Sequence, residues 1–549
     1  MNHKNSQFIL HLRFVFMSLT NIADFQFPLD EQFNGRLFTR RKDLTDSIRL
    51  LIGTNGLHAI LNGTWGTITH LADKYGISRT FIYSLANSLK KVGQFLFEET
   101  TATTPASFHR EHAIESMLSF RLEGGSSIGA ISTMMNRFDC GLSSTGSISQ
   151  TLSQIGGLLP MTVSTETGII RYFVFTSDEI FSKSVPILIT VDPCSSVILR
   201  MELADSRNAD DWKNHFECLK GNGIGAIYLV SDDGPGLRAG HAEAMGDVVR
   251  QSDTYHAIAH RLGSWVERFV IAAYAAIEKE YDCERKLKSA KSEGVQAKRQ
   301  AAYTQAIAYA EKAITLYDDF SYLYHCVISE LNVFDNDGNL RRRQQAETGV
   351  ICGLALIEDL NHTLITNAVN NVRRAMPDLF HYFDIAKKVV NECKALGIAE
   401  EGLKAYCIAW QWGKAARKAK KSGRKKIAIE QEQFCLEIAS GLHQQGSDDE
   451  DVAIQQEVYS RLDKIVQSSA LVECINSIIR PYLNTSKNHV NQEQLNLIMH
   501  YHNHRRYRDG VRKGKTPMEI LTGKKQAKDW IAILLEIIRE KKPELLLAS

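Results

Sequence analysis

The sequence predicts an α/β multidomain protein, a mixed-sheet core interrupted by a large all-α insertion and preceded by N-terminal helix-turn-helix units. Three observations carry this. Short apolar runs at 172–175, 185–191 and 197–203 alternate with turns, and a helical pattern and a fourth run at 226–230 follow them. Strand patterns then vanish from about Leu262 to Lys464, where long helical periodicities take over. Ahead of the sheet, a glycine and a capping serine punctuate two short amphipathic segments between Ile68 and Leu85.

Bulk composition sets the frame. A chain of 549 residues is too long for one ordinary core, so three or four domains are expected. With 44% apolar and 23% charged residues it reads as globular, neither disordered nor fibrous. The net charge of +2 gives no global field, so any basic surface must be local. The ten cysteines include no Cys-x-x-Cys pair, which speaks against a zinc ribbon or a disulfide framework and for free thiols in a reducing compartment. The apolar stretch at 8–19 is broken by His11 and Arg13, is too short to span a bilayer, and lacks a clear cleavage site after it. A cytoplasmic protein without membrane association is expected, with Met17 an alternative start to Met1.

The elements follow in order. Residues 1–60 form an N-terminal helical segment. In 61–100, Ile68, Leu71 and Ala72 line one helix, Gly76 makes a tight turn, and Ser78 caps a second helix carrying Phe81, Ile82 and Leu85. That spacing is a helix-turn-helix, whose second helix can enter a major groove with Arg79, Thr80 and Tyr83 at its exposed start. The plain alternative is an αα-hairpin packed in a core. A second such pair lies in 105–160, with helices at 128–135 and 144–155 around the turn 140–143, and reads equally as a structural helical pair. The sheet core begins in 165–262, with a helix at 208–219 between its third and fourth strands. The all-α insertion covers 263–464, the core resumes in 465–523, and 524–549 holds a C-terminal helix. Pro481 is expected to end the helix that carries Glu473, and another helix runs from Gln492 to about Arg505.

Three acidic residues carry the chemistry. Asp178 ends the apolar run 172–175 and its extension, Asp232 ends the run 227–230, and Glu473 sits in the helical stretch 469–476. Phosphodiester cleavage needs one oxygen activated and another stabilised. Two Mg²⁺ ions about 3.5–4 Å apart do both and require bridging carboxylates. Neighbouring strands lie about 4.8 Å apart, so Asp178 and Asp232 can converge. Glu473 would close the site from its helix, with Asn476 and Arg480 on the same helical face and directed to DNA phosphates. Glu179 points to the opposite face of the strand, Asp233 reads as turn chemistry, and Asp192 caps the second strand ahead of Pro193. Single acidic residues at strand ends are usually turn formers, and only the combination with Glu473 favours the catalytic reading. His256, in Asp253-Thr254-Tyr255-His256, either orients a scissile phosphate or packs. The run Arg417, Lys418, Lys420, Lys421, Arg424, Lys425 and Lys426 is a solvated helix face or a phosphate-holding surface.

The residues Asp178-Glu179-Ile180-Phe181, Val191-Asp192-Pro193, Trp212, Ser231-Asp232-Asp233-Gly234-Pro235-Gly236-Leu237, Glu473 with Asn476 and Arg480, and His502-Asn503-His504-Arg505-Arg506 resemble a bacterial insertion-sequence transposase of the DDE type. The closing Arg512-Lys513-Gly514-Lys515-Thr516-Pro517 is similar to the ends of many such enzymes. The resemblance covers about 165–262 and 465–523. It implies an RNase H-like catalytic core that binds two Mg²⁺ or Mn²⁺ ions through Asp178, Asp232 and Glu473, nicks element ends and joins the freed 3′-hydroxyl to target DNA. Arg505, Arg506, Arg512, Lys513 and Lys515 would add DNA contacts. Double-stranded DNA, both terminal repeats and target, would be the partner, and a homodimer or higher oligomer would form the synaptic complex. The sequence departs from compact integrase-like enzymes in the spacing of Asp232 and Glu473, which are 241 positions apart. That insertion is expected to fold out as a separate helical body. Two alternatives share these residues: a transposase-derived DNA-binding regulator without catalysis, and an RNase H-fold nuclease that cuts without joining.

Overall fold

The computed structural model describes residues 41, 43–97, 106–166, 168–419, 421–442, 448–510 and 512–547. The stretch 8–19, Met17 and Lys420 lie outside them. The chain divides into two compact units at Ala106/Ser107.

Among the described residues, the first unit holds three helices: α1 (Asp46–Asn62), α2 (Thr67–Tyr75) and α3 (Arg79–Phe97). Thr45 Oγ1 caps α1 by accepting from Ile48 N–H at 3.3 Å, and Gly63, at φ 64°, ends it. Gly76 takes φ 57° after α2, a conformation a side chain would resist, and Ser78 Oγ accepts from Phe81 N–H at 3.1 Å to start α3. Leu44, Ile52, Leu71, Ala72, Ile82 and Leu85 form one small core. The expected boundary at residue 60 therefore falls inside α1, whose buried Ile52 belongs to the same core as the glycine-turn pair.

The second unit opens with α4 (Ala106–Leu118), α5 (Ile128–Arg137) and α6 (Thr145–Gly156). Its sheet comprises β1 (Arg171–Ser182), β2 (Val185–Val191), β3 (Ile198–Leu203), β4 (Ile224–Ser231) and β5 (Arg250–Ser252), in the order β3-β2-β1-β4-β5. β1–β2 and β2–β3 pair antiparallel, while β1–β4 and β4–β5 pair parallel. The parallel returns need crossovers, supplied by α7 (Ala209–Gly221) and α8 (Pro235–Met245). These two helices cover one face of the sheet through Trp212, Phe216, Leu219 and Leu237 on Phe175, Leu188 and Leu229. β5 carries no strand signal in its sequence, Arg-Gln-Ser, and was not expected. β1 runs past Asp178 to Ser182, because Glu179 to Ser182 keep pairing with β2; Asp178 therefore lies within the strand rather than at its end.

Eight helices among the described residues fill the insertion: α9 (Arg261–Lys288), α10 (Glu293–Ser329), α11 (Arg343–Glu358), α12 (Thr363–Ala375), α13 (His381–Lys394), α14 (Glu400–Lys418), α15 (Ser422–Gly441) and α16 (Asp448–Leu462). It does not fold out as a separate body. Its core, around Phe320, Val350, Phe380, Tyr406 and Trp410, is continuous with Val174, Tyr228 and Val230 on the sheet. The cause lies in buried polar groups at the β4–β5 edge. Tyr228 Oη donates to Lys464 O at 2.7 Å, Gln251 bonds Leu379 O and Tyr382 N–H at 2.6 and 3.0 Å, and Arg250 pairs with Asp378 at 2.5 Å. Without the insertion each of these groups would lose a partner, although Arg250 keeps Asp232 O and Ser252, Gln251 keeps Ser252 O and Tyr228 keeps Val466.

The chain then returns over the same face as α17 (Ala470–Thr485), α18 (Gln492–His504) and α20 (Trp530–Lys541), while Met518 and Leu521 of the short α19 (Pro517–Thr522) pack against the core on the opposite face. α17 continues through Pro481 rather than ending there. Buried Tyr482 and Leu483 hold the last turn, and Tyr482 Oη donates to Leu122 O at 2.5 Å. Side-chain amides of α18 complete the free edge of β3: Asn503 bonds Ile198 N–H and C=O at 2.9 and 3.0 Å, and Gln492 serves Leu203 N–H and Met201 O at 2.8 and 3.0 Å. The second expected helical pair, α5 and α6, buries Ile131, Met135, Ile148, Leu152 and Ile155 in this same core. Among the described residues no helix is long and apolar enough to cross a membrane.

Candidate active site

The parallel β1–β4 ladder sets the first two carboxylates side by side. Its last paired residues are Ser177 and Ser231, and Asp178 and Asp232 follow them directly. Alternation along β1 turns Asp178 to the face covered by α17 and sends Glu179 to the other, where Arg207 Nη1 donates to it at 2.8 Å. α17 lays Glu473 over the same place. Asp178, Asp232 and Glu473 thus line one cleft of about 510 Å³, together with Asp233, Asp253 and His256.

Burial pushes the Asp178 carboxyl up to about 7, and the fields of Asp232, Glu179 and Glu473 add to it. Asn476 Nδ2 donates to Asp178 Oδ2 at 2.7 Å. Asp232 Oδ1 accepts from Gly234 N–H at 3.0 Å, which shapes the turn into α8. Glu473 meets His256 Nε2 at 2.5 Å. Burial works against charging His256, but the Glu473 hydrogen bond and the fields of Asp253, Glu473 and Asp232 lift it above the ordinary histidine value. Among the described residues, no three His, Cys, Asp or Glu side chains form a ready-made ligand cage. Two of the three carboxylates rest on neighbouring donors, Asp178 on Asn476 and Glu473 on His256.

Asp253 is the residue whose role sequence reading missed. It is 2% exposed and accepts four hydrogen bonds. Oδ1 takes Tyr255 and His256 N–H at 2.7 and 3.1 Å, and Oδ2 takes Ser469 N–H and Oγ–H at 2.8 and 2.5 Å. One carboxylate therefore starts both the turn bearing His256 and the helix bearing Glu473. The Asp-x-x-His spacing was a signal for its first half; nothing local in sequence marks Ser469 as its second partner. Asp233 accepts from Ser252 Oγ at 2.9 Å and lies 3.5 Å from Arg250, tying the cleft floor to β5.

The remaining expected site residues are scattered. Arg79, Thr80 and Tyr83 are exposed on the first turns of α3 in the first unit. Arg480 is exposed on α17, but Asn476, expected to face DNA, is 3% exposed because it turns inward to Asp178. Arg505 stacks over Tyr501 at 5.3 Å. Arg506 and Arg512 are engaged within the chain, Arg506 while still exposed. Arg506 bonds Glu519 at 2.9 Å, completing the start of α19, and Arg512 holds Pro193 O and Cys194 O at 3.1 and 2.9 Å. Lys513 and Lys515 are exposed, and no carboxylate among the described residues pairs with either.

No protein-family model and no curated protein matches this chain.

Proposed function

We propose that the chain is a DNA transposase of the DDE type, cutting DNA and joining the freed 3′-hydroxyl to a target strand at the Asp178–Asp232–Glu473 cleft. The observation that carries this reading is the meeting of these three carboxylates in one cleft, although the whole insertion separates the second from the third. The strand order β3-β2-β1-β4-β5, with its antiparallel and parallel halves, supports an RNase H-like core.

The donor set fits hard divalent ions, since Asp178, Asp232 and Glu473 are oxygen ligands and their mutual repulsion is what a cation would relieve. These three residues would hold Mg²⁺ or Mn²⁺, which when bound supplies activation of the attacking oxygen and stabilisation of the leaving one. His256, close to Glu473 and biased toward its charged form, orients that carboxylate and offers a donor to a phosphate oxygen. Asn476 keeps Asp178 aimed into the cleft. Exposed Arg79, Thr80 and Tyr83 on α3 suit groove contacts by the first unit, read as a helix-turn-helix.

The deciding experiment incubates the full chain, with Mg²⁺ or Mn²⁺, with labelled duplexes carrying the ends that flank its gene, plus a plasmid target. Joined products that disappear in Asp232→Ala support the transposase. Cleavage without joining points to a nuclease, and DNA binding without either points to a regulator.

A further inference from the structure

A second cleft, of about 530 Å³, lies on the other side of the segment that leads into α17. Ser469 faces the acidic cleft, whereas Ser468, Ala470 and Leu471 face this one. Its charge is opposite in sign: Lys414, Arg417, Lys418 and Arg512 line it against Asp463 and Asp509. Asp463 is already engaged, accepting from Trp410 Nε1 at 2.8 Å. Among the described residues no carboxylate pairs with Lys414, Arg417 or Lys418.

Lys414 shows how far the positive charge is concentrated. Its ammonium donates to Ile465 O at 3.2 Å and sits 4.2 Å from the centre of the Trp410 ring. Burial pushes its pKa down to about 7, and neighbouring Lys418 and Arg417 push in the same direction. Arg417, Lys418 and Arg512 line a partly desolvated cleft, and an anion seated there would favour the charged form of Lys414 beside them. Lys418 is also within electrostatic reach of Asp253, which lines the acidic cleft, so the two clefts adjoin.

We propose that this basic cleft seats phosphodiester groups of the DNA strand running out of the acidic cleft. The inference rests on reading the acidic cleft as the place where DNA is processed. It assigns to the end of α14 and the segment 465–471 a phosphate-binding role that the three carboxylates do not provide. Arg417 and Lys418, exposed as residues, supply the charge, and half-buried Lys414 sets the floor. Continuation of the basic run into Arg424 and Lys425 on α15 extends the positive surface beyond the cleft.

The test measures binding of a fluorescein-labelled 30-base-pair duplex to the full chain across a salt series. Each phosphate contact contributes about 0.9 to the slope of log K against log salt, so Arg417→Gln with Lys418→Gln should lower that slope by about 1.8. The exchange Arg417→Lys with Lys418→Arg should keep it. Lys387→Gln with Lys388→Gln, an equal charge change on the exposed side of α13, should leave it unchanged. Equal losses in both neutralised pairs, or no loss in either, overturn the subsite while leaving the acidic cleft's role standing. A wild-type chain that fails to bind the duplex overturns both.

Discussion

Asp253 and Ser469 are 216 positions apart and share two hydrogen bonds, with Asp253 Oδ2 accepting from Ser469 N–H at 2.8 Å and from its hydroxyl at 2.5 Å. This contact brings the chain back to the sheet after the insertion and fixes where α17 begins. Glu473 sits one turn further on. The contact therefore does for the third carboxylate what strand pairing does for the first two.

Asp253→Ala should remove both halves of this clasp. Leaving the buried Ser469 N–H without an acceptor costs about 1–3 kcal/mol, and the part-buried Tyr255 and His256 N–H groups, which water can reach, add less. Urea unfolding should show the loss. Asp253→Asn keeps one acceptor oxygen and should lose less. If metal-dependent cleavage by Asp253→Asn equals wild type while stability falls, the clasp is structural only and does not aim Glu473.

His256→Ala frees Glu473 from its neighbour without touching the sheet. Partners that orient ligating groups typically matter by about 10–100-fold, and that loss is expected in cleavage rate, with duplex affinity retained. His256→Gln, which can still donate to Glu473, should recover part of the rate. An unchanged rate in His256→Ala would return this histidine to a packing role.

Asp178 is held at a cost to the fold, through burial and the fields of Asp232 and Glu473. Asp178→Asn keeps an acceptor for Asn476 and removes the charge, so without metal it should be as stable as wild type or more so. Millimolar Mg²⁺ or Mn²⁺ should raise the melting temperature of wild type alone. Saturation to 100 times the dissociation constant stabilises by about 2.7 kcal/mol. Equal metal-induced shifts in wild type and in Asp178→Asn with Asp232→Asn would place the ions elsewhere.

Much of this site was legible in sequence because it is local. The runs ending near Asp178 and Asp232 fixed two neighbouring strands, and the glycine turn at 76 marked two helices by conformational need. Three features were not legible, each for want of a local signal. β5 is Arg-Gln-Ser, polar in composition; it pairs with β4, and insertion residues Asp378, Leu379 and Tyr382 help satisfy its buried side chains. α17 passes through Pro481 because tertiary packing of Tyr482 and Leu483 overrides the missing N–H. Asn476 and Arg512 read as surface groups by type, yet their partners Asp178 and Cys194 are about three hundred positions away in sequence.

Acid should destabilise the second unit through its buried histidines. Burial pushes His241, His500 and His502 down to about 4, with Arg250, His504 and the pair Arg505 and Arg512 respectively adding to the effect. Their folded values lie below the unfolded value of about 6.5, so the unfolded chain takes up protons first as pH falls. Stability contributed by each is complete above about pH 6.5 and falls until about pH 4, by on the order of 3 kcal/mol per histidine. Asp178, raised from the ordinary 3.8 to about 7, opposes one of these protons across the whole of the same range. His502→Gln, which keeps a donor toward Ser196 O, should lose about one proton of the slope of unfolding free energy between pH 6.5 and 4. A slope equal to wild type would show that His502 titrates normally in the fold.

The packing of α6 on α18 gives a test that separates scaffold from site. A Cβ placed on Gly156 would stand 2.1 Å from Glu493 O and 2.6 Å from its carbonyl carbon, backbone atoms in the first turn of α18. Neither can move alone. Asn496 Nδ2 donates to Gly156 O and Leu159 O at 3.1 and 3.0 Å, which locks the two helices in register at that point. Gly156→Ala must therefore push α18 away, and α18 also completes the β3 edge through Asn503 and Gln492. A loss of at least about 1–3 kcal/mol is expected, read as a fall in melting temperature. Gly146 on the same helix meets nothing nearer than Ser144 Oγ at 4.0 Å, so Gly146→Ala should be neutral or stabilising by up to about 1 kcal/mol. Because the carboxylate cleft is formed by β1, β4 and α17, Gly156→Ala should still bind metal well below its melting temperature. Loss of metal binding there would mean that α18, and not the Asp253–Ser469 clasp, holds Glu473 in place.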